Sequence, residues 1–466
     1  MNSISRRGAL ASLSLSILLS SLGTSIANVG LPALAEAFSA SFQAVQWVVL
    51  AYLMSITTLI VSVGRLGDIV GRRRLLLIGI AIFSAASILC ALAPNLWTLI
   101  AARALQGIGA AMMMALTLAL VSGAMSKEKT GSAMGVLGTM SAMGTSLGPT
   151  LGGLLIAHVG WPAIFLLNVP LGVLAMVLVW RFLPVDRREV TAKPAGFDAL
   201  GTLVLVLTLL AYALAMTLGR GDFGALNAAL LLVALVGLML FVFVEQTAAS
   251  PLLKLSMLRN AQLSIGLTMS TLVTTVVMTT LVVGPFYLSG ALRLSTASVG
   301  LVMSVGPLVA ALAGVPSGRL VDRWGAQRST IVGLVVMLGG ASLLPVVPMS
   351  VGVFGYLAPL VVITGGYALF QAANNTAVML DIAPEQRGVV SGLLGLSRNL
   401  GLITGASVMG TVFAFGTASS NILQAQPQAI AQGMQLTLAA AAGLILVALI
   451  MGTVSKIVSL RLIASC

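Results

Sequence analysis

The sequence predicts an all-α integral membrane protein of fourteen transmembrane helices, built from two related halves. Three observations carry this. First, apolar runs of spanning length recur from end to end of the 466 residues, of which 59% are hydrophobic and only 8% charged. So few charges could not cover a soluble chain of this size, whereas about 18 or more apolar residues cross the hydrocarbon layer. Backbone polar groups in lipid must be paired internally, so the spans are helices. Second, the charged stretch GRLGDIVGRRR at Gly64–Arg74 recurs as GRLVDRWGAQR at Gly318–Arg328. Extended to the next glycine, Gly79 and Gly333, 7 of 16 positions match. Third, lysines and arginines alternate between the connecting segments.

The spans are expected near 9–31, 43–63, 74–93, 97–121, 131–157, 163–181, 198–218, 226–244, 261–288, 297–317, 328–347, 353–379, 389–413 and 434–455. The first follows Arg6 and Arg7 but is too long for the apolar core of a cleaved signal peptide. The second and third flank the first copy of the repeat, and the tenth and eleventh flank the second. The copies lie 254 residues apart, about eight helix-plus-loop units of about 32 residues each, given the length of a span. Two six-helix halves would separate them by six units, so two extra helices lie between. The seventh and eighth spans fill that place. The expected domains are therefore an N-terminal six-helix bundle over 1–181, a linker with the extra pair over 182–260 and a C-terminal six-helix bundle over 261–466.

With the N-terminus in the cytoplasm, 20 of the 24 basic residues fall in cytoplasmic segments. Arg220 and Arg293 fall outside, and Arg103 and Arg398 lie within spans. This positive-inside bias implies a multi-pass protein of the cytoplasmic membrane with both termini inside. The net charge of +13 sits in these short turns and not on one face of a domain, which argues against a nucleic-acid partner. No metal site, nucleophile–base pair or phosphate loop is present in the sequence, so no enzyme activity or cofactor is expected.

Several motifs together resemble the major facilitator superfamily. GRLGDIVGRRR resembles its signature between the second and third helices, and Arg103-Ala-Leu-Gln106-Gly107-Ile-Gly109 its fourth-helix motif. Gly144-Thr-Ser-Leu-Gly148-Pro149-Thr-Leu-Gly152-Gly153 resembles the fifth-helix motif associated with exporters. QWVVLAY at Gln46–Tyr52 and IFLLNVPLG at Ile164–Gly172 resemble the fourteen-helix drug:proton antiporter branch. The resemblance covers nearly the whole chain. It implies the major facilitator fold, alternating access, proton coupling and a chain that can work as a monomer, with a small molecule and the lipid bilayer as partners.

Candidate functional residues fall in three groups. Gly64, Asp68, Gly71 and Arg72, with Gly318, Asp322 and Arg328, would form a cytoplasmic gate, its glycines allowing tight turns and its acids accepting charge-assisted hydrogen bonds. Gly144, Gly148 and Gly152 share one face of the fifth span beside Pro149, a pattern suited to close approach and bending at an interface between bundles. Asn28, Tyr52, Arg103, Gln106, Gln371, Asn374 and Arg398 would line a central cavity, because polar groups at that depth need partners or water. Ser14, Ser21 and Ser25 join Asn28 on one stripe of the first span.

All eleven acids lie in loops or at span ends. The antiporter branch has an Asp in its first helix where this chain has Gly23. A buried carboxylate would exchange protons near neutral pH and attract cationic drugs. Its absence favours neutral, zwitterionic or anionic substrates. The expected function is export of a small organic compound, with proton antiport implied by the resemblance alone. The alternative is a facilitator or importer of an anionic or zwitterionic molecule, with Arg103 and Arg398 as its binding pair.

Overall fold

The computed structural model describes residues 3–124, 127–184, 198–218, 224–248, 251, 255–379, 387–418 and 425–464. Thirteen helical segments among these residues are long and apolar enough to cross a membrane. The helix Lys127–His158 adds one more of spanning length, in the fifth place expected for it. By packing, the chain forms two compact units. One comprises residues 1–215, 224–252 and 296–304; the other comprises 216–223, 253–295 and 305–466.

Unit 1 begins with α1 (Ser3–Ala37), α2 (Phe42–Val70), α3 (Arg72–Ala91), α4 (Leu96–Ala124) and α5 (Lys127–His158). A short α6 (Ala163–Leu166) leads into α7 (Asn168–Phe182), and together they make one span. The extra pair is α8 (Ala199–Thr217) and α9 (Ala225–Thr247). Helix starts are marked by polar caps that take up otherwise unpaired backbone N–H groups. Ser41 Oγ accepts from Ala44 N at 3.3 Å and Asn95 Oδ1 from Thr98 N at 2.9 Å. Asp198 Oδ1 accepts from Gly201 N at 2.7 Å. The core gathers Leu13, Ile17, Leu19, Phe83, Met113 and Leu116.

Unit 2 contains α10 (Ala261–Phe286), α11 (Thr296–Trp324, whose first residues count with unit 1), α12 (Ala326–Leu343) and α13 (Val353–Met379). After these come α14 (Arg387–Thr404), α15 (Gly410–Thr417) and α16 (Pro427–Ala464). Wide π turns over Tyr287–Ala291 and Gly405–Met409 extend α10 and join α14 to α15. Many threonine hydroxyls within the spans donate to a carbonyl one turn back in their own helix, which lets threonines sit at membrane depth. Thr271, Thr275 and Thr279 donate to the carbonyls of Leu267, Thr271 and Thr275 at 3.1, 2.9 and 2.8 Å.

Candidate substrate and gating sites

Arg103 is the largest fully buried side chain among the described residues. It projects from α4 into unit 1, where the energetic penalty of a charge in an apolar interior has to be offset by acceptors. Its Nε donates to Val48 O of α2 at 2.9 Å and its Nη2 to Gly23 O of α1 at 3.1 Å. Its Nη1 donates to Gln106 Oε1, one turn on in α4. Gln106 Nε2 passes the network to Ser87 Oγ of α3 at 2.7 Å, and Ser87 donates to Phe83 O at 2.7 Å. The guanidinium lies 4.1 Å from the Tyr52 ring centroid and 5.9 Å from that of Phe165, within cation–π reach. Tyr52 Oη donates in turn to Ser20 O of α1 at 2.8 Å.

Tyr52, Arg103, Gln106 and Asn28, the residues expected to line a central cavity, lie in and beside this network. All four are buried. They join α1, α2, α3 and α4 as a closed polar core, because the guanidinium finds its acceptors in two backbone carbonyls and the Gln106 amide. Asn28 Nδ2 donates to Thr24 O of its own helix at 3.3 Å. Gly23 also acquires a physical reason. A Cβ there would lie 3.0 Å from Tyr52 Oη and 3.1 Å from Phe83 Cζ, so a larger residue would crowd the ring that carries Arg103.

Unit 2 places its expected residues differently. Asn374 is buried and donates through Nδ2 to Gly266 O of α10 at 3.1 Å, which makes it a helix-to-helix tie. Gln371 is half-buried and Arg398 is exposed.

The gate departs from a loop in both copies. Helix α2 continues through Gly64 to Val70, and α11 continues through Gly318 to Trp324. Each pair of helices is joined by a single residue of positive φ, Gly71 at 105° and Gly325 at 81°. Gly64 and Gly318 are therefore helical residues, not turn formers. In lipid the helix keeps its hydrogen-bond ladder until a residue free to adopt positive φ ends it. Asp68 and Asp322 each fall three residues before their turning glycine; Asp322 and Arg328 are exposed, and the side chains of Gly64 and Asp68 lie outside the described residues. Arg72 Nη1 donates to Ala119 O of α4 at 3.4 Å, and Arg73 Nη2 donates to Trp180 O of α7 at 2.6 Å.

The fifth-helix stripe also has a definite partner. A Cβ at Gly144 would approach Leu22 N to 3.1 Å, and one at Gly152 would approach Ile26 O to 3.2 Å. A Cβ at Gly148 would collide with Ser25 Oγ. Gly144, Gly148 and Gly152 thus pack on α1, while a Cβ at the neighbouring Gly153 would come within 2.9 Å of Gly300 Cα in α11. Pro149 lies within α5, one residue past Gly148. Small residues let the two backbones close, and hydroxyls join them. Ser21 Oγ and Ser141 Oγ are 2.8 Å apart, and Ser25 Oγ donates to Gly144 O at 3.3 Å. Two serines of the expected cavity stripe are engaged in this contact.

A family model described as the Major Facilitator Superfamily matches residues 13–406. The chain belongs to the major facilitator superfamily. It is 30% identical over 401 residues to the riboflavin transporter RibZ of Clostridioides difficile, covering 85% of this chain and 86% of that protein. It is 31% identical over 401 residues to the multidrug resistance protein Stp of Mycobacterium tuberculosis, covering 84% and 72%. The crystal structure of a bacterial homolog of the human lysosomal transporter Spinster, inward-facing and unoccupied, superposes with a TM-score of 0.73 at 15% identity over 99% of both chains. That likeness fixes the fold. As a major facilitator, the protein is a multi-pass membrane transporter and not an enzyme.

One pair of residues in this major facilitator was missed by sequence reasoning. Asp198 and Glu245 were placed at span ends with the other acids, which they are, but the structure buries both, to 8% and 3% exposure. Asp198 caps α8 and Glu245 lies near the end of α9, so hairpin pairing of the extra helices brings them together. The available signal was that one acid opens the inserted pair and another closes it.

Proposed function

We propose that the protein exports small neutral or zwitterionic organic compounds across the cytoplasmic membrane by alternating access, driven by proton antiport. The observation that carries this is similarity spanning both halves to a protein named for multidrug resistance, at 31% identity over 84% of the chain. The similarity to a named riboflavin transporter supports a substrate that is not a lipophilic dication. So does Gly23, which leaves no carboxylate at the Arg103 core to attract one. The anion-binding alternative is weakened because each nitrogen of the Arg103 guanidinium already has an acceptor within unit 1. The reading includes two six-helix bundles around an inserted pair, a monomeric chain, both termini in the cytoplasm, and a gate at the two single-glycine turns.

The test uses the purified full chain in proteoliposomes with an imposed pH gradient. A panel of radiolabelled neutral, zwitterionic, anionic and dicationic compounds is offered. Gradient-driven movement of neutral or zwitterionic compounds towards the acidic side is expected. Transport indifferent to the gradient would remove proton coupling, and selective uptake of anions would replace export with the facilitator reading.

A further inference from the structure

Two polar side chains between α3 and α7 are buried without hydrogen-bond partners. Asn168, the first residue of α7, is fully buried, and neither its Oδ1 nor its Nδ2 has a partner among the described residues. Ser84 Oγ of α3 is likewise unpartnered, and Ser84 is only 8% exposed. Sealed polar groups of this kind cost stability in the state that leaves them unpaired, so each needs a reason. Asn168 lies in the stretch IFLLNVPLG at Ile164–Gly172, where Phe165 reaches Arg103 but the amide takes no part in that core.

Their placement follows from the register of two antiparallel helices. Arg73 Nη2, near the start of α3, donates to Trp180 O, near the end of α7, at 2.6 Å. Further along α3 and further back along α7, a Cβ on Gly172 would collide with Ser84 Oγ. Gly172 therefore sits opposite Ser84. Asn168 is one turn from Gly172 on the same face, and Asn168, Gly172, Ala175 and Val179 are the buried residues of α7. The two unpartnered groups thus stand one helical turn out of register, with small residues along the seam. The span is also interrupted beside Asn168. Leu167 separates α6 from α7, and Pro170 has no N–H to give to Leu166 O, four residues earlier. Small residues permit close contact between the sliding backbones, and the break gives α7 an end that can move relative to α6.

We infer that, in the alternating-access cycle proposed above, α7 slides along α3 by up to one turn, about 5.4 Å, and the Asn168 amide then pairs with the Ser84 hydroxyl. One-turn ratchets of one packed element past another are an established form of two-state switching. An amide carries both a donor and an acceptor, and so does a hydroxyl. The pair therefore satisfies in one state what is left unsatisfied in the other. The break at Leu167 takes up the displacement at one end, and the long Arg73 side chain takes it up at the other. The Arg103 core stays as it is, because its hydrogen bonds run among α1, α2, α3 and α4. In this role Asn168 positions α7 for transport and touches no substrate.

The experiment uses the purified full chain in proteoliposomes without a pH gradient. The probe is the radiolabelled panel compound that the parent exchanges fastest, whatever its charge, so a wrong substrate class or absent proton coupling leaves the test intact. Asn168→Leu replaces an unpaired amide by an apolar group of similar volume, so Tm is expected to equal or exceed that of the parent. Its maximal exchange rate per folded molecule should fall severalfold with KM unchanged. Ser84→Ala should do the same, and the double variant should be no slower than the slower single one. Asn168→Ser keeps a hydrogen-bonding group and should recover part of the rate. A second readout is a disulfide between Asn168→Cys and Ser84→Cys on mild oxidation in membranes, with Cys90 and Cys466 replaced by serine. Residues one turn out of register are bridged only if the helices move. A fall in Tm with an unchanged rate per folded molecule would make the amide structural and overturn the slide; failure of both the Leu and the Ser variant to fold counts as the same result. A raised KM at an unchanged maximal rate would overturn it by assigning Asn168 to substrate contact. Additive slowing, or absence of the disulfide, would do so as well.

Discussion

The α3–α4 crossing of unit 1 and the α12–α13 crossing of unit 2 use the same glycine geometry and surround it with opposite chemistry. In unit 1, a Cβ at Gly79 would lie 3.2 Å from Gly109 O, and one at Gly109 would lie 2.6 Å from Gly79 O. In unit 2 the corresponding distances are 2.9 Å from Gly333 to Gly366 O and 2.8 Å from Gly366 to Gly333 O. Gly79 and Gly333 are also the residues that close the two copies of the sequence repeat. The duplicated segment thus ends in both halves at the point where its helix leans on the next one. Six residues before the crossing glycine, however, α4 has Arg103 and α13 has Leu360, both buried. The backbone contact has been retained in both units, while the side chains beside it were free to diverge. A crossing made from main-chain atoms has no tolerance for a larger residue, whereas the position six residues away can be filled by any side chain whose neighbours satisfy it.

The strongest way to break this comparison is to move the charge. Leu360→Arg would put a guanidinium into unit 2 without the acceptors that Gly23, Val48 and Gln106 provide in unit 1. A charge in the middle of a span costs about 2.5–3.5 kcal/mol on insertion scales. The expected result is a large fall in the yield of monodisperse protein and in Tm, measured by fluorescence-detected size exclusion and a thermal scan. A Leu360→Arg protein as stable as the parent would mean that unit 2 holds its own acceptor set, and the contrast between the units would fail.

A somewhat smaller and symmetrical effect is expected at the crossings. Gly109→Val and Gly366→Val each drive a side chain into backbone atoms of the facing helix. Overpacking of this kind costs about 1–3 kcal/mol, and rotating a side chain cannot relieve a clash with main chain. Both variants should lose Tm to a similar extent. Gly314→Val, at a glycine with open space around its Cβ, serves as the control and should lie close to the parent. Unequal losses at Gly109 and Gly366 would show that the two crossings are not equivalent.

The parts of this picture that could be read from sequence are those set by local composition. Span count, the inserted pair and the repeat all follow from apolar length and matched glycines, and the helices of the extra pair start and stop within a few residues of expectation. The gate was misread because glycine marks both turns and helix-compatible positions. Of the glycines in the two repeated stretches, Gly71 and Gly325 take positive φ, and nothing in the pattern separates them from Gly64 and Gly318. Arg103 was recognised as a residue needing a partner, but besides Gln106 its acceptors are carbonyls contributed by α1 and α2, 80 and 55 residues away. Backbone acceptors leave no trace in a sequence. Asp198 and Glu245 were invisible as a pair for the related reason that a helical hairpin, and not spacing along the chain, brings them together.

The smallest expected effect bears on what the unit 1 core does. Tyr52→Phe removes the hydrogen bond to Ser20 O at 2.8 Å but leaves the ring 4.1 Å from the Arg103 guanidinium. A single buried hydrogen bond contributes about 0.5–1.5 kcal/mol, so Tm should fall slightly. Tyr52→Leu removes the ring as well and with it a desolvated cation–π contact of about 2 kcal/mol, so it should fall further. If the core is scaffolding, as its closure from solvent indicates, transport per folded molecule should be unchanged in Tyr52→Phe. A Tyr52→Phe protein with the Tm of the parent and no transport would place this core in the transport cycle itself. The difference between Arg103 and Leu360 would then be one of mechanism and not only of packing.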